Sequence, residues 1–169
     1  MGPDDLAAEL REDDPESLDP VQQALLKPEK IDFDYLYPHL KDADRDTLLA
    51  VTKRAISTGQ FLPIWFLKTY LEVDGAACVR TLLQGGRVSE AGEACVRVLR
   101  AELLRLTPHP PAPRAAPLAL ADRVLRELAH VRHAGEVYED LQKLVEEYTQ
   151  VVKRTSEDMK LSMNYYVAT

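Results

Sequence analysis

Apolar positions along this chain recur every three or four residues, the period of a helix that buries one face. No alternating run of β-branched residues lasts more than a few positions, so the pattern predicts no strand. Asp19-Pro20 supplies a cap and a proline at the first helical position, and Val21 to Lys27 then runs until Pro28 stops it. A short aromatic segment follows, with Ile31, Phe33, Tyr35, Leu36 and Tyr37, and it is broken at Pro38. From about Asp44, Leu48, Leu49, Thr52, Ala55 and Ile56 fall at helical spacing, and Gly59 stands where a left-handed C-terminal cap belongs. Pro63 opens a helix carrying Trp65, Phe66, Tyr70 and Leu71. Asp74 is the expected N-cap of the next, which runs from Gly75 to Gln84 and ends at Gly85-Gly86. A longer helix from about Val88 to Leu106 places Ala91, Cys95, Val98, Leu99 and Leu103 on one stripe.

Five of the 11 prolines then fall between Pro108 and Pro117, which predicts an extended connector over 107–117. Pro117 opens a helix with Leu118, Ala121, Val124, Leu125 and Leu128, and the pattern falters near His133-Ala134-Gly135. The last helix is expected from about Ala134 to Lys160, with Val137, Leu141, Leu144, Tyr148, Val152, Thr155 and Met159 on one face. That stripe is longer than the helix before it, so part of it is expected to lack an intramolecular partner. The expected architecture is therefore all-α: an irregular α-solenoid-like stack ending in a long C-terminal helix. It divides into an acidic, disordered leader over 1–18, stacked helical pairs over 19–106, the linker 107–117, a helical hairpin over 118–160 packed on the same domain, and a tail over 161–169. No strict repeat period is visible, so a regular array is not expected.

Composition changes this picture little: 46% hydrophobic and 29% charged is ordinary for a globular domain of 169 residues. The net charge of −7 is more telling, because the eight acids and one base of residues 1–20 account for all of it. A neutral body behind an acidic leader offers no basic footprint, so nucleic acid is not an expected partner. No stretch is long and apolar enough to predict a membrane span. Cys78 and Cys95 have no partner at a metal-ligand spacing and are expected as reduced core thiols. A metal site can be drawn from His130 and His133 with Glu127 and Glu136 in reach, but histidines at a helix end more often meet its last carbonyls. His39 and His109 lie beside prolines without evident partners. No nucleophile elbow, phosphate loop or dinucleotide fingerprint occurs, so no catalytic residue, cofactor or metal is expected, and the chain is read as non-enzymatic.

Two stretches carry a resemblance. Leu62-Pro63-Ile64-Trp65-Phe66-Leu67-Lys68-Thr69-Tyr70-Leu71-Glu72-Val73-Asp74, followed by Leu82-Leu83, resembles the C-terminal region of the large Y-complex nucleoporin, the one-twenty nucleoporin of fungi and one-sixty of animals. The family pattern there is Leu-Pro-x-Trp, a tyrosine, Val-Asp, then a leucine-rich helix and a turn ending in Glu-Ala, here Glu90-Ala91. Leu144, Glu146, Tyr148, Val152 and Asp158 lie at spacings similar to those of the family's final helix. The resemblance covers about a third of the chain; the proline-rich segment and residues 1–45 have no counterpart in it, and the family's β-propeller is absent, which implies a C-terminal fragment.

The resemblance implies a structural role at the nuclear envelope, in the nuclear pore complex. The implied partners are other helical nucleoporins at the hub of the Y-shaped complex: the C-terminal domain of a second-arm nucleoporin, and the stalk nucleoporin with its small β-propeller partner. Leu141, Leu144, Tyr148, Val152 and Met159 are the candidate partner-binding residues, and Trp65, Phe66 and Tyr70 are core or interface aromatics. A vesicle-coat or membrane-tethering adaptor built from similar helical stacks is the alternative.

Overall fold

A computed structural model describes residues 19–105 and 116–168, with side chains as far as Lys160 except that of Met159. The expectations for the leader 1–18 and for 107–115 lie outside these residues. Seven helices and no strand occur among the described residues: α1 (Pro20–Leu26), α2 (Phe33–Leu40), α3 (Arg45–Ser57), α4 (Ile64–Gln84), α5 (Val88–Arg105), α6 (Ala116–Leu128) and α7 (Gly135–Ala168). The fold is the all-α one that the periodicity predicts. It divides into two compact units, Met1–Asp74 and Gly75–Thr169.

In the first unit, α1 packs on α2 and α3. Its helices are short, so their ends need satisfying. Asp19 caps α1 by accepting from Val21 N at 2.7 Å and Gln22 N at 3.1 Å, and the Gln22 side chain reaches back to complete a capping box. Asp32 accepts from Tyr35 N at 3.1 Å, and Asp44 from Thr47 N at 2.8 Å. At the other end of α1, Arg54 of α3 donates from Nη2 to the Leu25 carbonyl at 2.6 Å and from Nη1 to the Lys27 carbonyl. Gln60 then pairs its side-chain amide with the Ile31 backbone, accepting from Ile31 N at 2.8 Å and donating to Ile31 O at 2.6 Å. The core beneath these ties comprises Phe33, Leu36, Leu40, Leu48, Val51, Phe66 and Tyr70 among others, each large side chain contributing roughly 1.5–3 kcal/mol by its burial.

Pro38 does not break α2 as the sequence suggested; the helix continues through it to Leu40. Proline removes only the bond to the Asp34 carbonyl, on an exposed residue one turn back, and Lys41 N closes the helix on Tyr37 O at 3.1 Å. Gly59 has φ 69, and the bonds from Gln60 N to Ala55 O (2.8 Å) and Gly59 N to Ile56 O (3.1 Å) form a Schellman cap. Gly86, φ 78, repeats that arrangement after α4, with Arg87 N on Leu82 O at 2.8 Å. Within α4, Asp74 alone leaves helical geometry (φ −158, ψ 87), at the expected helix boundary. Arg45 reaches its carboxylate at 3.3 Å.

The second unit rests on three mutually packed helices, α5, α6 and α7. Its buried positions include Ala91, Ala94, Cys95, Leu99, Ala121, Val124, Leu128, Leu141 and Tyr148. Gly92 sits mid-helix in α5, where a Cβ would stand 2.9 Å from Val137 Cγ1 and 3.0 Å from Leu128 Cδ1. A side chain at that position would have to displace Val137 and Leu128. The helix α7 extends to Ala168, beyond the end expected at Lys160.

Candidate partner-binding surfaces

The registers of α5 and α7 follow from what touches what. Gly92 faces Val137; Arg100 lines one groove with Asp140; Leu103 lies with Val151 and Arg154. Residue numbers rise together, so the two helices run parallel, and Leu128 beside Gly92 shows α6 returning antiparallel to both. The helix α5 ends at Arg105, level with the Val151 region of α7. The helix α7 continues past that level to Ala168.

This geometry divides the predicted stripe. Leu141 and Tyr148 are fully buried and Leu144 is 8% exposed, because α5 and α6 cover that half of α7. Leu141 and Tyr148 belong to the core of the unit, Leu144 lies at its edge, and the less buried part of the stripe begins at Val152. Val152 and Thr155 are half-buried, whereas Lys153, Arg154, Ser156, Glu157 and Asp158 are exposed. The side chain of Met159 lies outside the described residues.

Along the outer side of α5 and α7 runs an open groove that sequence reasoning missed. Val96, Ala101, Leu104 and Leu144 contribute its apolar part, and Leu104 is 77% exposed. Glu93, Arg97 and Arg100 stand on the α5 wall; Glu136, Asp140, Glu146 and Glu147 stand on the α7 wall, with Lys143 and Arg154 among them. The signal was a leucine, Leu104, next to the stripe residue Leu103 and outside the stripe.

In the first unit the aromatics pack edge to face. Trp65 meets Tyr37 at 4.8 Å, Phe66 at 6.0 Å and Phe33 at 6.2 Å, and Phe33 meets Phe66 at 5.2 Å. Phe66 and Tyr70 are core residues, while Trp65 is half-buried at the edge of the cluster under the more exposed Tyr37. Phe61 and Ile64, 85% and 68% exposed, add apolar surface at the start of α4 that periodicity did not single out.

Polar chemistry is sparse. His130, His133, Glu127 and Glu136 are all exposed, and among the described residues no three His, Cys, Asp or Glu side chains gather so as to hold a metal ion. His133 adopts φ 64 in the turn between α6 and α7. Cys78 and Cys95 are free and buried, and desolvation pushes the Cys95 thiol up to about 12, which suppresses its reactive thiolate. No helix among the described residues is long and apolar enough to cross a membrane.

Capped helices returning on one another, with no strand among the described residues, define an all-α helical stack. Within that class, the chain belongs to the Nup160 C-terminal TPR family, which it matches over residues 30–164. The match runs through both units and across the proline-rich segment, well beyond the stretches that carry the resemblance by eye. No curated protein and no solved structure matches the chain.

Proposed function

We propose that this chain is a structural scaffold domain of the nuclear pore complex, acting at the nuclear envelope by binding other helical nucleoporins at the hub of the Y-shaped complex and so supporting nuclear transport of proteins and mRNA. The observation that carries this reading is the family match over 30–164, which takes in almost every helix described. The polar chemistry agrees with it: buried thiols, exposed histidines and dispersed surface charges suit contact better than catalysis. The partner-binding role falls to the part of α7 that begins at Val152, past the buried Leu141, Leu144 and Tyr148. Its partners on this reading are the C-terminal domain of the second-arm nucleoporin and the stalk nucleoporin with its small β-propeller partner.

Size-exclusion chromatography with light scattering, on the chain mixed with those two regions, tests the reading. One stable ternary species is expected. Separate peaks at micromolar concentrations would leave the family in place and remove the hub role.

A further inference from the structure

We propose that the groove between α5 and α7 seats one amphipathic helix of a partner protein, acidic along the edge that faces α5 and basic along the edge that faces α7. This rests on the scaffold reading above and names a second contact surface within the same unit.

Helices α5, α6 and α7 form a three-cornered packing in which α6 covers the inner side of the α5–α7 pair. Among the described residues the outer side stays open, and its centre is apolar, with Val96 and Leu144 lining it and Leu104 77% exposed. A helix laid in such a groove buries an apolar ridge and brings its two flanks against the walls. The walls differ in sign. Arg97 and Arg100 outweigh Glu93 on α5, while Glu136, Asp140 and Glu147 outweigh Lys143 on α7.

These charges are not spent on one another. Among the described residues no ion pair involves Arg97, Arg100, Asp140 or Glu147, although other charges on the same helix pair locally, Arg87 with Glu90 at 3.0 Å and Arg105 with Glu102 at 2.9 Å. Complementary charge sets the register and orientation of a docked helix more than its raw affinity. That is why a partner with opposed acidic and basic flanks fits here, and why a uniformly acidic or basic one does not.

The test uses the full chain carrying Arg100→Glu with Leu104→Asp, titrated with the same two helical nucleoporin regions and followed by thermal melting on its own. Roughly tenfold or greater weakening for one region is expected, with the melting temperature unchanged because both side chains point to solvent. The wild-type affinity for that region should also fall between about 0.05 M and about 0.5 M salt. Wild-type affinity retained by the variant would overturn the proposal while sparing the scaffold reading. A clear drop in the variant's own melting temperature would also overturn it, by showing that another part of the chain fills the groove. A wild-type dimer that the variant converts to monomer would do so by assigning the groove to a second copy. Failure of the wild-type chain to bind either region would remove the scaffold reading and this proposal together.

Discussion

Residues 19–74 and 75–168 reach stability by different means. The first set makes short helices whose ends are tied by named polar groups: Asp19, Asp32 and Asp44 at N-termini, Arg54 across the C-terminus of α1, and Gln60 on the Ile31 backbone. The second set makes two long helices, α5 and α7, that meet each other and α6 through small and aliphatic side chains, with Gly92 against Val137 and Leu128. A helix of seven or eight residues cannot repay its own nucleation, so each terminal bond matters. A helix of 18 or 34 residues has internal bonds to spare, and its position depends on close packing. Polar-tie removal should therefore hurt the first unit, and volume change the second.

The largest effect is expected from Tyr148→Ala. Emptying a fully buried aromatic site should cost about 3–5 kcal/mol in denaturant unfolding, with loss of hydrogen-exchange protection concentrated in 75–168. A small cost would place Tyr148 outside the core. Next comes Gly92→Val, expected to cost about 1–3 kcal/mol, because Val137 and Leu128 must move. A neutral result would mean that the helices separate easily and that the packing half of the comparison is overstated. In the first unit, Gln60→Ala leaves the Ile31 N–H and carbonyl without their partner and should cost about 1–3 kcal/mol, read by the same unfolding assay.

The smallest effect concerns pH. The hydrogen bonds from Thr47 hold the Asp44 carboxyl below its ordinary value near 3.8, so the cap stabilises the fold above that value and the contribution is lost as pH falls through the lowered one. Asp44→Asn should flatten this part of the stability profile in acid. An unchanged slope would assign the acid sensitivity to other carboxylates.

What the sequence revealed was local. Asp19, Asp44, Gly59 and Asp74 mark helix ends through the chemistry of one turn, and each stands where its residue type predicts. The ties from Gln60 to Ile31 and from Arg54 to Leu25 join residues 29 apart, and no single-turn rule links those positions. The stripe on α7 was legible as apolar, but periodicity cannot tell which half of a long helix its neighbours cover. Leu141, Leu144 and Tyr148 proved to be core for that reason. Gly92 carried a faint signal in its small neighbours Ala91 and Ala94, the composition expected where helices approach closely.

Hydrogen exchange on the chain alone and in complex with the helical nucleoporin regions tests most directly whether the second unit carries the binding surface. The account predicts slowed exchange in the α7 backbone from Val152 toward Ala168 and along Val96 to Leu104, with the Trp65 cluster unaffected. Slowing confined to the exposed Phe61 and Ile64 patch would contradict it and move the interface to the first unit.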